Sequence, residues 1–330
     1  MKRFDYIDIM RALGIILVII GHINYANINS NIKVWVYAFH MPLFFVITGM
    51  TLKLGKKFNK DSVIKKIKRI YVPYLLWSLI YFSLTPRNII YTLYGSHQAL
   101  KTGNSSLWFL PCLFLSCLIM EFIFSMIHKI NKYKQLYIYL LIPISIFVFA
   151  LCQKFINLKL GLPFGLEIVP IAIIFMVLGY LIHQNINKIE QLNKYSKIFV
   201  VIVSIMISLT CFCNNVDYVL MAEARFGNLL LFFICSLGGI SLIVLFSLWL
   251  SHFDNLIKEI LKFIGQNTII IFAVQKPILA LCQKILEAIS MNIPDVFVIV
   301  FYLIVIGIVS FFTIKISNIY LPQLNGSEKV

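Results

Sequence analysis

Apolar stretches long enough to cross a bilayer follow one another along almost the whole chain, and this repetition decides the fold class. A spanning helix needs about 20 mostly apolar residues. Such stretches run approximately over 9–27, 33–53, 70–86, 106–127, 136–152, 166–183, 198–213, 228–250, 268–286 and 295–315 of the 330 residues. Hydrophobic residues make up 60% of the chain and charged ones 13%, against about 45–50% and 25% in a soluble domain. The reading is an all-α integral membrane protein, a bundle of about ten transmembrane helices. No loop is long enough for an appended soluble domain, so residues 1–330 read as one transmembrane domain.

The net charge is +16. Its distribution argues for membrane orientation rather than for nucleic acid. Lysine and arginine crowd into alternate loops, most densely in KLGKKFNKDSVIKKIKR at 53–69. That asymmetry places those loops and both termini in the cytoplasm, with anionic lipid headgroups or a polyanionic cytosolic ligand as partners for the basic block. No basic–aromatic interleaving marks a nucleic-acid surface. Lys2 and Arg3 precede the first apolar run, but Arg11 interrupts it and no small-residue cleavage site follows, so it reads as a retained span. DNLIKEILKFI at 254–264 reads as a short amphipathic helix on the inner surface.

Within this apolar background, DIMRALGIILVIIGHINYANINSNIKVWVYAFHMPLFFVITG (8–49) carries Asp8, Arg11, His22 and His40. A charge at the centre of a span costs about 2.5–3.5 kcal/mol on insertion scales, so such groups point to a task. Asp8, Arg11, Ile15, Val18 and His22 recur at helical spacing and form one seam. Arg11 and His22 lie on nearly the same face, roughly 16 Å apart along the axis. His22, as a neutral imidazole, suits a general base that takes a proton from a hydroxyl. The Arg11 guanidinium suits either a snorkelling anchor or a clamp on phosphate oxygens, with Asp8 one turn earlier orienting it. His40 and Pro42 lie in FHMPLFFVITG, where proline frees the carbonyl four residues back and bends the span. His40 can then meet His22 across the gap. Lys66 and Arg69 stand where the basic loop enters the third span, and Glu121, Gln275 and Lys276 are further polar residues inside spans. The seven cysteines show no metal or redox spacing; most lie in apolar runs and read as small hydrophobes, and Cys211 and Cys213, two residues apart, seldom bridge at that spacing and are assigned no role. No metal site is expected. No DxD, P-loop, Gly-x-Ser-x-Gly or HExxH pattern is present.

These motifs together resemble the acyltransferase-3 family of membrane O-acyltransferases, and within it the fucose 4-O-acetylase-like branch. The arginine, ten residues, histidine pattern is here Arg11 to His22, with Asp8 before it. FHMPLFFVITG is similar to the family's second-span motif, and KKIKRIYVPY to its paired basic residues before a proline. SLWFLP at 106–111, LGYLIH at 178–183 and IGQNTIIIFAVQKPI at 264–278 continue the match. Two positions depart from the pattern: Gln275 stands where the late-span motif ends in histidine, and Lys66 where the basic pair begins with arginine.

The resemblance implies a ten-helix bundle in the cell membrane that moves an acetyl group from acetyl-CoA to a sugar hydroxyl. The acceptor would be a surface polysaccharide or its lipid-linked precursor. Acetyl-CoA is then a substrate and no bound cofactor is expected. His22 and His40 would be catalytic, Arg11, Lys66 and Arg69 would hold the CoA phosphates, and Asp8 would support Arg11. The competing readings are a polysaccharide or lipid-precursor transporter without chemistry, and a structural or sensory membrane protein. Release of CoA that depends on an added glycan separates the first reading from the other two.

Overall fold

The computed structural model describes residues 4–23, 30–55, 57–130, 133–155, 158–213, 219–289 and 294–326. Lys2, Arg3 and Lys329, which contribute to the charge asymmetry, lie outside them. The helices are α1 (Asp5–His22), α2 (Ser30–Met50), α3 (Lys60–Lys66), α4 (Val72–Tyr81), α5 (Pro86–Tyr94), α6 (Phe109–Lys129) and α7 (Lys134–Cys152), followed by α8 (Val169–Gln184), α9 (Ile186–Glu190), α10 (Lys194–Cys213), α11 (Leu229–Ser251), α12 (Leu256–Gln266), α13 (Thr268–Ile289) and α14 (Asp295–Tyr320). There is no strand among the described residues.

Seven of the described helical stretches are long and apolar enough to cross a membrane. They match expected spans two, four, five, six, eight, nine and ten. The other three have identifiable reasons for falling short. α1 carries Asp5, Asp8 and Arg11 within 18 residues. The third stretch is divided between a π-helical turn at Ile67–Tyr71 and the ten-residue α4. The final side chains of α10 lie outside the described ones.

Packing separates the chain into two compact units. The first comprises Met1–Phe44, Asn187–Leu220 and Phe226–Ile319. Here α1 packs chiefly on α12 and α11, and also on α13, while α10 packs on α11. Ile9, Ala12, Leu250 and Leu261 form a buried cluster, with Leu13, Ile16 and Ile264 around it. Lipid tails are as apolar as these side chains, so close packing and polar contacts, more than apolar burial, must hold helices together in a bilayer. Small residues permit that closeness. A Cβ at Gly265 would collide with the Asp8 carbonyl, and one at Gly239 with the Phe39 ring. α12 is thus short and amphipathic as expected, a principal neighbour of α1 with Lys258 buried and Leu256, Ile257 and Ile260 exposed. Lys258 reaches Asp5 at 3.3 Å and Asp254 at 2.9 Å. That hydrogen bond and charge hold Asp254 below its ordinary carboxylate value and lift Lys258 above its own.

Pro42 does not interrupt α2, which runs on as one helix. The carbonyl four residues back, that of Ala38, loses its intrahelical donor. The Ser236 hydroxyl of α11 donates to it at 2.6 Å, which satisfies it inside the fold.

The second unit comprises Phe45–Ile186, Met221–Arg225 and Tyr320–Val330. α8 packs on α6 and α7, and the last turn of α2 meets α8 through Gly49 and Gly179. α3, the π turn and α4 form one continuous helical run from Lys60 to Tyr81. Its foot is held by Trp77 Nε1 donating to the Leu324 carbonyl at 3.1 Å.

Loops at one end of this unit are tied by buried polar groups. Ser96 Oγ donates to Leu160 O at 2.5 Å, Tyr94 OH to Gly161 O at 2.7 Å, and Leu162 N to Glu167 Oε2 at 3.2 Å. Lys101, Arg225 and His97 converge on Glu223 at 2.9, 3.4 and 3.7 Å. Burial raises the Glu223 carboxyl, but the Lys101 hydrogen bond and the three cationic neighbours outweigh burial and hold it below its ordinary value.

Cysteines 112, 117, 152 and 282 are free thiols. Cys235, in α11, is disulfide-bonded, which corrects its reading as a plain small hydrophobe. The side chains of Cys211 and Cys213 lie outside the described ones.

Candidate active site

Each polar position singled out on α1 and α2 has a defined environment in the first unit. At the start of α1, Arg11 donates through one terminal nitrogen to Asp8 Oδ1 at 3.1 Å. Gln266, at the end of α12, donates Nε2–H to Asp8 Oδ2 at 3.4 Å. Asp8 is 1% exposed and the Arg11 side chain 32% exposed. The carboxylate is therefore a buried strut, and the guanidinium it orients still reaches solvent. The negative first turn of α1, with Asp5 and Asp8, also suits the positive end of the helix dipole.

At the other end of α1, His22 Nδ1 lies 2.7 Å from the Val18 carbonyl oxygen. His40 Nδ1 lies 2.8 Å from that of Val36. A carbonyl oxygen can only accept, so in both rings Nδ1 carries the proton and donates it one turn back along its own helix. Each Nε2 then keeps its lone pair. This is the tautomer a general base needs, fixed by backbone rather than by a neighbouring acid. The two rings stand edge to face with centroids 6.3 Å apart. Tyr37 lies beside both, 5.7 Å from His22 and 4.9 Å from His40. His40 is buried at 2% exposure and His22 is partly exposed, so of the two His22 is the more accessible. A Cβ at Gly21 would press on Val36 and on the Tyr37 ring, so glycine lets α2 approach close enough to align the rings.

The structure thus brings His22 and His40 together, and Asp8 and Arg11 together. Lys66 and Arg69 belong to the second unit. Lys66 closes the last turn of α3 and Arg69 lies in the π turn. The Lys66 ammonium is paired with the Glu121 carboxylate of α6, both side chains little exposed, while Arg69 is exposed. Glu121, a polar residue inside a span, thus has Lys66 as its ion-pair partner. Gln275 of α13 is fully buried, and neither atom of its amide has a hydrogen-bond partner among the described residues.

Several contacts of the site residues are not among the sequence expectations. Tyr37 and Lys33 share the face of α2 that carries His40, at positions i+4 and i of an i, i+4, i+7 series, a pattern that was legible. Gln266 on Asp8 and Glu121 on Lys66 were not legible, because each joins helices far apart in sequence. Among the described residues no three His, Cys, Asp or Glu side chains gather as a metal site.

Comparison of the whole chain with protein-family models gives a match over residues 4–315 to a model described as an acyltransferase domain. Comparison with curated proteins and with solved structures gives no match.

Proposed function

Because the chain belongs to the acyltransferase-3 family, a multi-pass membrane protein with several apolar helices, we propose that it is an O-acetyltransferase of the fucose 4-O-acetylase-like branch. On this reading it moves an acetyl group from acetyl-CoA to a sugar hydroxyl of a surface polysaccharide or its lipid-linked precursor. The observation that carries the reading is the pair of imidazoles whose Nδ1 protons are committed to the backbone, leaving Nε2 of His22 as a base. In the proposed step His22 Nε2 accepts the hydroxyl proton as the oxygen attacks the thioester carbonyl. The tetrahedral intermediate then collapses, the C–S bond breaks, and the CoA sulfur leaves with the proton returned by the imidazolium. Arg11, held by Asp8, would meet a CoA phosphate, with Lys66 and Arg69 as further phosphate contacts. Lys66 would have to exchange Glu121 for the donor. Purified protein supplied with acetyl-CoA should release CoA only when an acceptor glycan is added. Glycan movement across vesicles without CoA release would favour a transporter instead.

Ten spans in one domain of the plasma membrane, with both termini cytoplasmic, complete the proposal. The basic loops support this orientation. Reporter fusions at residues 95, 158 and 220 should read outside, and those at 60, 131 and 190 inside. A reversed signal at 60 would overturn the orientation.

The donor contact has its own expected result. Hydrogen bonds to charged groups contribute about 1.5–3 kcal/mol, so Arg11→Ala should weaken acetyl-CoA binding about tenfold or more. The difference from wild type should shrink as salt is added. Equal donor Kd values, measured by calorimetry in detergent, would remove Arg11 from the donor site.

A further inference from the structure

A groove of about 600 Å³ runs between α10 and α11 in the first unit, with the end of α9 at its mouth. Its walls are aliphatic and aromatic, chiefly Ile198, Val201 and Ile202 of α10 and Leu242, Phe246 and Trp249 of α11. Ile202, Phe246 and Trp249 are exposed, so the groove opens away from the interior, toward lipid. Its polar lining is confined to one end. Glu190 ends α9, Lys197 lies in the first turn of α10, and His252 follows the last residue of α11. Trp249 stands near the same end, as interfacial tryptophans do.

The depth of the groove matches one leaflet. Leu242 and His252 are ten residues apart in the lining, about 15 Å at the helical rise. One turn deeper the two helices touch, since a Cβ at Gly238 would lie 3.1 Å from the Ser204 carbonyl oxygen. The hydrocarbon core is about 30 Å thick, so half of it is spanned. Polar at the helix ends and apolar toward the midplane, the groove has the profile of a single lipid molecule. Its mouth also carries both signs of charge. Lys197 Nζ donates to the Glu190 carbonyl oxygen at 2.7 Å, which holds the ammonium beside Glu190 and leaves it two further N–H groups. Neither the ammonium nor the Glu190 carboxylate is in an ion pair among the described residues. A purely anionic headgroup would be repelled by Glu190, and a purely cationic one by Lys197. A headgroup that joins a phosphate to a primary ammonium can make charge-assisted hydrogen bonds with both.

We propose that this groove binds a phospholipid with an ethanolamine headgroup, its phosphate on Lys197 and His252, its ammonium on the Glu190 carboxylate, and an acyl chain along α11. The site shares no residue with the imidazole pair and does not depend on acyl transfer. In the orientation proposed above it draws its lipid from the inner leaflet.

The test uses the full-length protein in phosphatidylcholine vesicles. Phosphatidylethanolamine, phosphatidylcholine or phosphatidylglycerol with brominated acyl chains is titrated in. Bromine quenches indole fluorescence on contact, and the difference between wild type and Trp249→Phe isolates the emission of Trp249. Brominated phosphatidylethanolamine should half-quench it at a mole fraction about fivefold below that of the other two lipids. Glu190→Gln should erase this preference, Lys197→Gln should weaken it, and Lys197→Arg should keep it. Val201→Phe, which fills the groove and leaves its charges alone, should reduce quenching by all three lipids. Equal quenching by the three lipids in the wild type would mean that the groove holds only bulk lipid, and it overturns the proposal. So does a preference for phosphatidylglycerol, a preference that survives Glu190→Gln, or no quenching of Trp249 at all. The wild-type titrations decide among the lipids by themselves, so a variant that fails to insert does not shield the proposal.

Discussion

His22→Ala is expected to abolish acetyl transfer while expression, membrane insertion and acetyl-CoA binding stay near wild type. A sugar hydroxyl attacks a thioester poorly until its proton has somewhere to go, and a positioned base contributes about 10²–10⁴-fold. His22 holds that position because its Nδ1 is bound to Val18 O and its Nε2 is left to accept. His40 has the same tautomer, but its ring is 6.3 Å from that of His22 and more deeply buried, so it cannot take over without a shift in the acceptor. His40→Ala should therefore cost activity, though less than His22→Ala. Rates of CoA release with saturating donor and glycan decide the matter. If His22→Ala keeps more than about a tenth of the wild-type rate, the base is elsewhere and His40 becomes the first candidate.

The largest effect on stability is expected from Gly49→Ala combined with Gly179→Ala. A Cβ at Gly49 would collide with the Met176 carbonyl, and one at Gly179 with the Val46 carbonyl. The contact is reciprocal, with two glycines each laid on the other helix's backbone three residues from its partner glycine. Flexible side chains can move aside, but a helix backbone cannot, so α2 and α8 would have to separate. Overpacking of this kind costs about 1–3 kcal/mol per site, and the pair should fall at the upper end or beyond. Gly307→Ala is the matched control, since a Cβ there meets nothing within 4 Å. It should be neutral or stabilising by about 0.5–1 kcal/mol. Melting curves of the solubilised variants test this, and a double variant that melts with the wild type would refute the close packing of these helices.

What the sequence disclosed followed from local periodicity. Asp8 and Arg11 are one turn apart on one helix, and their ion pair is as expected. The His22–His40 approach was readable because a short connection forces α1 and α2 to be neighbours. Pro42 was legible as a break in the hydrogen-bond ladder, and α2 runs through it as one helix. Its consequence was hidden because the replacement donor, Ser236, is nearly two hundred residues away. The same distance hid Gln266 from Asp8 and Glu121 from Lys66. Tertiary packing chose those partners, and no spacing rule within one helix encodes them. Hydropathy treated α1 as an ordinary span, whereas its three charged residues set it apart from the seven apolar helices.

The π turn at Ile67–Tyr71 has a consequence for how this chain is to be aligned with its relatives. A π turn is an α-helix holding one residue too many. Deleting a single residue there would let the ladder close as plain α-helix. The π turn takes up its extra residue within about one turn of rotation, so the residues before it would then keep nearly the same azimuth relative to α4, and Lys66 would still face Glu121. Residue counts across KKIKRIYVPY therefore do not measure azimuth. A relative one residue shorter in this stretch would need its gap placed inside the turn, and a basic residue that matches Lys66 by count would lie on another side of the helix.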